Sequence, residues 1–303
     1  MKIGVIGLGS MGKPIARNLA VEGDTVLAYD IDARAVDAVA SESVTGAASA
    51  ADIAERCELV VLMVWDDAAL REAVLGARGI LACRSFRGCV VDLSTTSVAV
   101  AREVGEALAV RGATFLDAAV IGGGVPAIKA GKSPIVVSGA RAAFDRYAPA
   151  LQRLGTLDFV GAQGAAKAVK IANNLLVGVM TAANAEALSL GVEAGLDLAT
   201  MVEVLRGSAA GSTVLQSYMG RYVREGRYGE GLIGHALMAK DVSLACELAR
   251  DVAVEAPFAE ITRQAYVAFG RALGEEKPFP TAFDHYRRAA EGRFELLDST
   301  RRS

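Results

Sequence analysis

The first thirty residues limit the fold of this chain more than any other stretch. Lys2-Ile3-Gly4-Val5-Ile6 is a short apolar strand, and it runs into Gly7-Leu8-Gly9-Ser10-Met11-Gly12, a GxGxxG turn. Lys13 to Val21 follows as a helix, and Thr25-Val26-Leu27-Ala28-Tyr29 as a second strand that finishes on Asp30. Each part has a mechanical role. Gly7 makes the tight turn, Gly9 lets backbone approach a pyrophosphate, and Gly12 lets helix and strand pack closely, while the helix N-terminus offers N–H groups to phosphates. Among 32 glycines a lone GxGxxG is weak, because chance matches occur. In the order strand, turn, helix, strand, acid it specifies a dinucleotide-binding βαβ unit, with Leu8 and Met11 inside the same turn.

Asp30 narrows the ligand. A carboxylate at the end of the second strand accepts hydrogen bonds from ribose hydroxyls and repels a 2′-phosphate, which favours NAD over NADP. No arginine follows directly; Arg34 is the first, one helical turn on. The other reading of Asp30, an N-cap for a helix over 33–40, is compatible with ribose binding.

Beyond this unit, strand-like runs alternate with alanine-rich helices to about residue 160: Leu59–Val64, Cys89–Leu93, Thr114–Val120 and Ser133–Ser138. That alternation predicts an α/β fold with a Rossmann-type, doubly wound parallel sheet. From residue 164 the pattern turns helical, with one long helix over 164–194 and shorter ones over 197–207, 211–224, 235–252, 257–273 and 280–291. The expected division is a dinucleotide-binding domain over 1–162 and an all-α domain over 163–303. The basic tail (Arg287, Arg288, Arg293, Arg301, Arg302) reads as a solvated, frayed end.

Composition excludes several classes. A formal charge of −3 argues against nucleic acid or an anionic membrane as partner. The longest apolar candidate for a membrane span, residues 171–192, contains Asn173, Asn174, Asn184 and Glu186. Hydrophobic residues make up 52 % of the chain, an excess that fits a large core plus a homo-oligomeric interface, a dimer or tetramer. With the first strand starting at residue 2, no signal peptide is expected, and four cysteines without CxxC or zinc spacing point to free thiols in a reducing cytoplasm. Two histidines in distant segments, His235 and His285, support neither a zinc site nor a Ser-His-Asp triad, so no metal is expected.

Proton chemistry then falls to another residue type. Lys170 and Asn174 stand four apart on the long helix, so they share a face and can meet one ligand. An amine there can take a hydroxyl proton while hydride leaves the same carbon, provided it is partly neutral; desolvation and nearby positive charge, such as Lys167 one turn back, favour that form. From spacing alone the commoner reading is a simple solvated pair, as most Lys/Asn pairs on helices are.

Four ordered blocks decide between these readings. They are Gly4 to Gly12 running on to Ala16-Arg17-Asn18-Leu19, then Asp117-Ala118-Ala119-Val120-Ile121-Gly122-Gly123, then Gly164 to Asn174 ending Lys170-Ile171-Ala172-Asn173-Asn174, and last Lys240-Asp241-Val242-Ser243-Leu244-Ala245. Together they resemble the β-hydroxyacid dehydrogenase family, which includes 3-hydroxyisobutyrate and tartronate semialdehyde enzymes, over essentially the whole chain. The resemblance implies an NAD-dependent oxidoreductase with Lys170 as acid/base and Asn174 as its polar partner. It also implies that Lys240 reaches over the cofactor, that Thr95 lies near the nicotinamide ribose, and that Val64 lies against the cofactor. Ile121, Gly122 and Gly123 match the family's substrate loop.

The chain departs from the family in places. Trp65 stands where the family has proline. Ile121 replaces the serine that helps hold the substrate carboxylate, Ala119 replaces a proline, and Gly124, Pro126 and an extra residue before Gly131 alter the loop. Pro278-Phe279-Pro280-Thr281 replaces an acidic segment. The Gly122 and Gly123 N–H groups remain able to bind an anion as a nest. The substrate implied is a small β-hydroxy acid or related alcohol or aldehyde. The alternative is an imine reductase-type NAD(P)H enzyme acting on a non-carboxylate, which Ile121 favours and Lys170 opposes. A 6-phosphogluconate dehydrogenase is longer and carries histidine at the position of Asn173, and a non-catalytic nucleotide sensor leaves Lys170, Asn174 and Lys240 unexplained.

Overall fold

The computed structural model describes residues 1–21, 23–229 and 231–288. The chain divides into two compact units, Met1–Ile171 and Ala172 onward. The first unit is built on strands β1 (Lys2–Ile6), β2 (Thr25–Tyr29), β3 (Val44–Gly46), β4 (Leu59–Leu62), β5 (Cys89–Asp92), β6 (Thr114–Val120), β7 (Ser133–Gly139) and β8 (Gly155–Phe159). They form one sheet in the order β3-β2-β1-β4-β5-β6-β7-β8. Its interleaved helices are α1 (Gly12–Leu19), α2 (Ala33–Asp37), α3 (Ala50–Arg56), α4 (Asp67–Leu75), α5 (Val98–Val110), α6 (Gly124–Lys129) and α7 (Arg141–Leu151).

The central strands are buried on both faces, and so they read as unbroken apolar runs rather than alternating ones. Successive side chains point to opposite sides. Ile3, Val5, Leu59, Val61, Cys89 and Val91 enter one core, while Ile6, Val60, Leu62 and Val90 enter the other. Two strands escape the sequence reading, β3 and β8. Both are sheet edges with partly exposed, polar-containing sequences, so neither carries a strong hydrophobic signal.

The sheet is not wholly parallel. β6 and β7 pair antiparallel, with Val120 opposite Ile135 and Leu116 opposite Gly139. The connection between them, residues 121–132, holds only the short helix α6. The expectation of a parallel sheet is corrected at this one pair.

Helix α8 (Ala165–Glu193) opens the helical part of the chain. By length and composition it is apolar enough to cross a bilayer, so its asparagines and Glu186 do not by themselves exclude that. Only 28 % of its most apolar window is buried, at separate points along its length. Ala166 and Lys167 are buried in the first unit, and Ala185 and Leu188 join the core of the second. The second unit continues with α9 (Leu198–Arg206), α10 (Thr213–Leu215), α11 (Arg221–Glu225), α12 (His235–Asp251) and α13 (Pro257–Leu273). The single helix expected over 211–224 is interrupted by a π-helical stretch, Gln216–Gly220. Helix residues 282–288 follow, and the rest of the segment expected over 280–291 lies outside the described residues. In the basic tail Arg287 pairs with Glu193, the last residue of α8, instead of standing free in solvent; Arg293, Arg301 and Arg302 lie outside the described residues.

Candidate active site

The predicted residues of the first unit gather at the carboxyl ends of its strands, where open α/β sheets bind ligands. After β1, Gly7 adopts φ +91°, and a Cβ there would stand 2.2 Å from the Met63 carbonyl oxygen. A Cβ on Gly12 would stand 1.9 Å from the Gly7 oxygen, so helix α1 could not approach the turn. Gly9 differs. Its φ is not in the left-handed region and a Cβ would meet no protein atom within 4 Å. Neither conformation nor packing requires glycine at Gly9, so the open space above it fits the close approach of a pyrophosphate. Leu8 is buried in the core by its side chain, while Met11 caps α1 and packs against the same core.

Asp30, at the end of β2, accepts the Leu8 N–H at 2.6 Å through Oδ2 and the Asp32 N–H at 2.9 Å through Oδ1. It therefore ties the glycine turn to the β2 end. Asp32, not Asp30, is the N-cap of α2, accepting the Arg34 N–H. The Arg34 guanidinium is held by the same Asp32 carboxylate, 3.0 Å from Nε. Past β4 the Val64 N–H donates to Ser94 Oγ at 2.8 Å, which joins the β4 end to the turn carrying half-buried Thr95. Trp65 stands 64 % exposed beside it.

Between β5 and β6 the sheet has a notch. The β5–β6 ladder ends at Asp92 opposite Asp117, while β6 runs on to Val120. Thr114 donates to the Gly88 oxygen on the β5 side and Ile121 to Pro134 on the β7 side. By the strand period, the Ala118 and Val120 carbonyls face the side where β5 has stopped. Two lysines of α8 take them: Lys167 Nζ donates to Ala118 at 3.0 Å and Lys170 Nζ to Val120 at 2.7 Å. Lys167 is also 2.9 Å from Asp92 Oδ2, with both side chains fully buried. The sequence reading treats Lys167 as a bare positive charge near Lys170. Its pairing with Asp92 corrects that.

The helix is aimed into the notch by Asp117. This buried carboxylate accepts the Gly164 N–H at 2.9 Å, the Lys167 N–H at 3.3 Å and the Ser138 hydroxyl at 2.7 Å. Ser138 Oγ in turn accepts the Ala166 N–H at 2.9 Å. Such bonds satisfy first-turn donors and place negative charge at the positive helix end.

Ile121, first residue past β6, turns its side chain onto Ala119, Val136 and Ala166. Gly123 follows at φ +73° and caps α6. The loop therefore presents Gly122 and Gly123 main chain without a hydroxyl at residue 121.

In the second unit Asn174 is buried, and its Nδ2 donates to Asp241 Oδ2 at 2.7 Å, while Lys240 Nζ lies 2.9 Å from Asp241 Oδ1. Asn173 Nδ2 donates to Asn174 Oδ1 at 3.1 Å. Asp241 thus organises two predicted residues. Sequence reasoning assigned no role to Asp92, Asp117, Ser138 or Asp241, although Asp117 and Asp241 lie inside quoted motifs and Asp92 inside the expected strand Cys89–Leu93; acids in contact with motif lysines and amides are the signal available for them. His235 is buried and bonded to Thr281 through Nε2 at 2.8 Å. Among the described residues no group of three or more His, Cys, Asp or Glu is placed to hold a metal.

Comparison with known proteins gives the family. Residues 2–172 match the NAD binding domain of 6-phosphogluconate dehydrogenase, and residues 164–284 match the NAD-binding domain of NADP-dependent 3-hydroxyisobutyrate dehydrogenase. The chain is 35 % identical to 3-hydroxyisobutyrate dehydrogenase of Pseudomonas aeruginosa over 91 % of its own length and 94 % of that protein. It is 33 % identical to 2-(hydroxymethyl)glutarate dehydrogenase of Eubacterium barkeri, covering 90 % of each. The structure of Mycobacterium tuberculosis 3-hydroxyisobutyrate dehydrogenase with L-serine superposes with a TM-score of 0.85 at 26 % identity, covering 94 % of this chain and 99 % of that one. The chain belongs to the β-hydroxyacid dehydrogenase family, the NAD-dependent oxidoreductases that include 3-hydroxyisobutyrate dehydrogenase.

Proposed function

We propose that this protein transfers hydride reversibly between NAD and a small β-hydroxy acid or related alcohol, with Lys170 as the general acid/base. One observation carries the reading: the Lys170 amine sits in the notch at the carboxyl edge of the sheet, bonded to Val120, the residue before the loop Ile121–Gly123. When bound, NAD supplies the hydride acceptor, held by Gly7, Gly9 and Gly12 at the pyrophosphate and by Asp30 at the ribose, with Val64 and Thr95 as further contacts.

In the oxidative direction Lys170 takes the hydroxyl proton, and the Val120 carbonyl stabilises the ammonium that results. Asp241 fixes the amide of Asn174, one turn further along α8, so that the amide group is pre-oriented toward its ligand. The Gly122 and Gly123 N–H groups receive the substrate carboxylate. The Asp30 carboxylate and the engagement of Arg34 by Asp32 support NAD over NADP.

We also propose a homo-oligomer in a reducing cytoplasm. On α8, Leu176 is 59 % and Leu190 67 % exposed, apolar surface that a second copy would cover. The four cysteines are free thiols. Assays of 3-hydroxyisobutyrate, 2-(hydroxymethyl)glutarate and L-serine with NAD, read as NADH absorbance, test the activity. Turnover of at least one is expected; NAD binding without turnover of any hydroxy acid overturns the reading.

A further inference from the structure

Lys167 is fully buried, and the proposed reaction makes no use of it. An ammonium has three N–H donors. Four acceptors surround this one: Asp92 Oδ2 at 2.9 Å, the Asp92 carbonyl at 2.9 Å, the Ser94 carbonyl at 2.8 Å and the Ala118 carbonyl at 3.0 Å. They come from two segments that part just past the last ladder pair, Asp92 opposite Asp117. Asp92–Ser94 leads to Thr95 and, through Ser94 Oγ, holds Val64. Ala118 leads through Val120 to Ile121–Gly123.

We infer that Lys167 is the positioning residue of the active site: one ammonium fixes the cofactor-side turn and the substrate-side strand to each other, and to the helix that carries Lys170 one turn on. A buried ion pair is weak evidence for stability, since apolar replacements of such pairs are often neutral. Its geometric effect here is specific. Without it, three carbonyls facing the notch lose the donor that brings the two segments together. Misplacement of reacting groups by about 1 Å costs on the order of 10²-fold in rate.

The test uses full-length Lys167→Gln and, where burial of an unpaired Asp92 prevents folding, the charge-balanced Lys167→Gln/Asp92→Asn. The first measurement is amide hydrogen exchange, which needs no substrate. Exchange should accelerate by about tenfold or more in both 94–95 and 121–123, whereas the β1–α1 turn keeps its wild-type rate. The second is kinetic and rests on the dehydrogenase reading. NADH affinity is measured by energy transfer from Trp65, the sole tryptophan, and kcat is counted per NADH-binding site. The affinity should stay within about threefold while kcat falls about 10²-fold with 3-hydroxyisobutyrate or whichever hydroxy acid the wild type oxidises. A merely structural role lowers Tm and leaves kcat per binding site unchanged. Acceleration in one segment only or in neither overturns the inference, as does kcat within about threefold of wild type. If the wild type oxidises no hydroxy acid, the dehydrogenase reading fails and the exchange result alone decides.

Discussion

The amine of Lys170 donates to the carbonyl of Val120 at 2.7 Å, across an opening that exists because β5 stops three residues before β6 does. Two features that are separate in sequence, a strand that ends early and a lysine at the start of a long helix, thus form one device. The carbonyl orients the amine, and the first residue past β6 opens the loop that matches the family's substrate loop.

Replacement of Lys170 by alanine should abolish hydride transfer and leave NAD affinity close to wild type, because the glycine turn and Asp30 lie on other elements. General acid/base help is worth about 10²–10⁴-fold. Measured kcat above about a tenth of wild type would remove Lys170 from that role.

Much of this arrangement is legible in the sequence. The glycine turn, the second-strand acid and the boundaries of β6 and α8 follow from local pattern, because each is fixed by backbone conformation or by runs of buried residues. The notch is not legible. It depends on the relative lengths of β5 and β6, which only the paired register reveals. The partner of Lys167 is hidden for the same reason: Asp92 is 75 positions away, and nothing local marks a lysine on an apolar helix as buried. The antiparallel β7 escapes too, since a run of apolar residues does not mark the direction of a strand.

Asp30→Ala combined with Ile31→Arg should weaken NAD and improve NADP. Asp30 holds the Leu8 and Asp32 amides, so its loss loosens the turn as well as removing the charge that repels a 2′-phosphate. Ile31 is 94 % exposed, which leaves room for a guanidinium to pair with that phosphate. Wild-type kcat/KM that already favours NADP would refute the assignment of Asp30.

Light scattering at micromolar concentration should report an oligomer, and Leu176→Glu/Leu190→Glu should shift it toward monomer. Both side chains are more than half exposed in the single chain, so the change is costly only where a second copy covers them. A wild-type monomer would end this proposal.

Stability should fall as the pH drops from about 6.5 toward 4, in part through His235. Burial, and then the charge of His285, hold its pKa down from 6.5 to about 4. Nε2 is bonded to Thr281 and Nδ1 is buried with no partner, so protonation places a charge where nothing accepts it. The unfolded chain binds this proton near pH 6.5 and the folded one only near 4. The contribution is fully present above 6.5 and is lost through that window, by about 3 kcal/mol at most. His235→Asn should flatten the dependence of Tm on pH between these limits; an unchanged slope would assign the acid sensitivity to other groups.

Ile121→Ser tests what the substrate loop recognises. In a loop of the family's form the serine hydroxyl adds a bond to the substrate carboxylate, and bonds to charged groups contribute about 1.5–3 kcal/mol. Here the Ile121 side chain packs on Ala119, Val136 and Ala166, and the loop differs at Gly124 and Pro126 as well, so a hydroxyl at residue 121 would replace apolar packing and not simply extend a binding site. The expected outcome is loss of activity on the native substrate with no compensating gain on 3-hydroxyisobutyrate, measured as kcat/KM for both. A gain on 3-hydroxyisobutyrate with native activity unchanged would mean that the carboxylate sits at residue 121 after all. The Gly122 and Gly123 amides alone would then be an incomplete version of the common site, and the native substrate would belong with the ordinary short hydroxy acids.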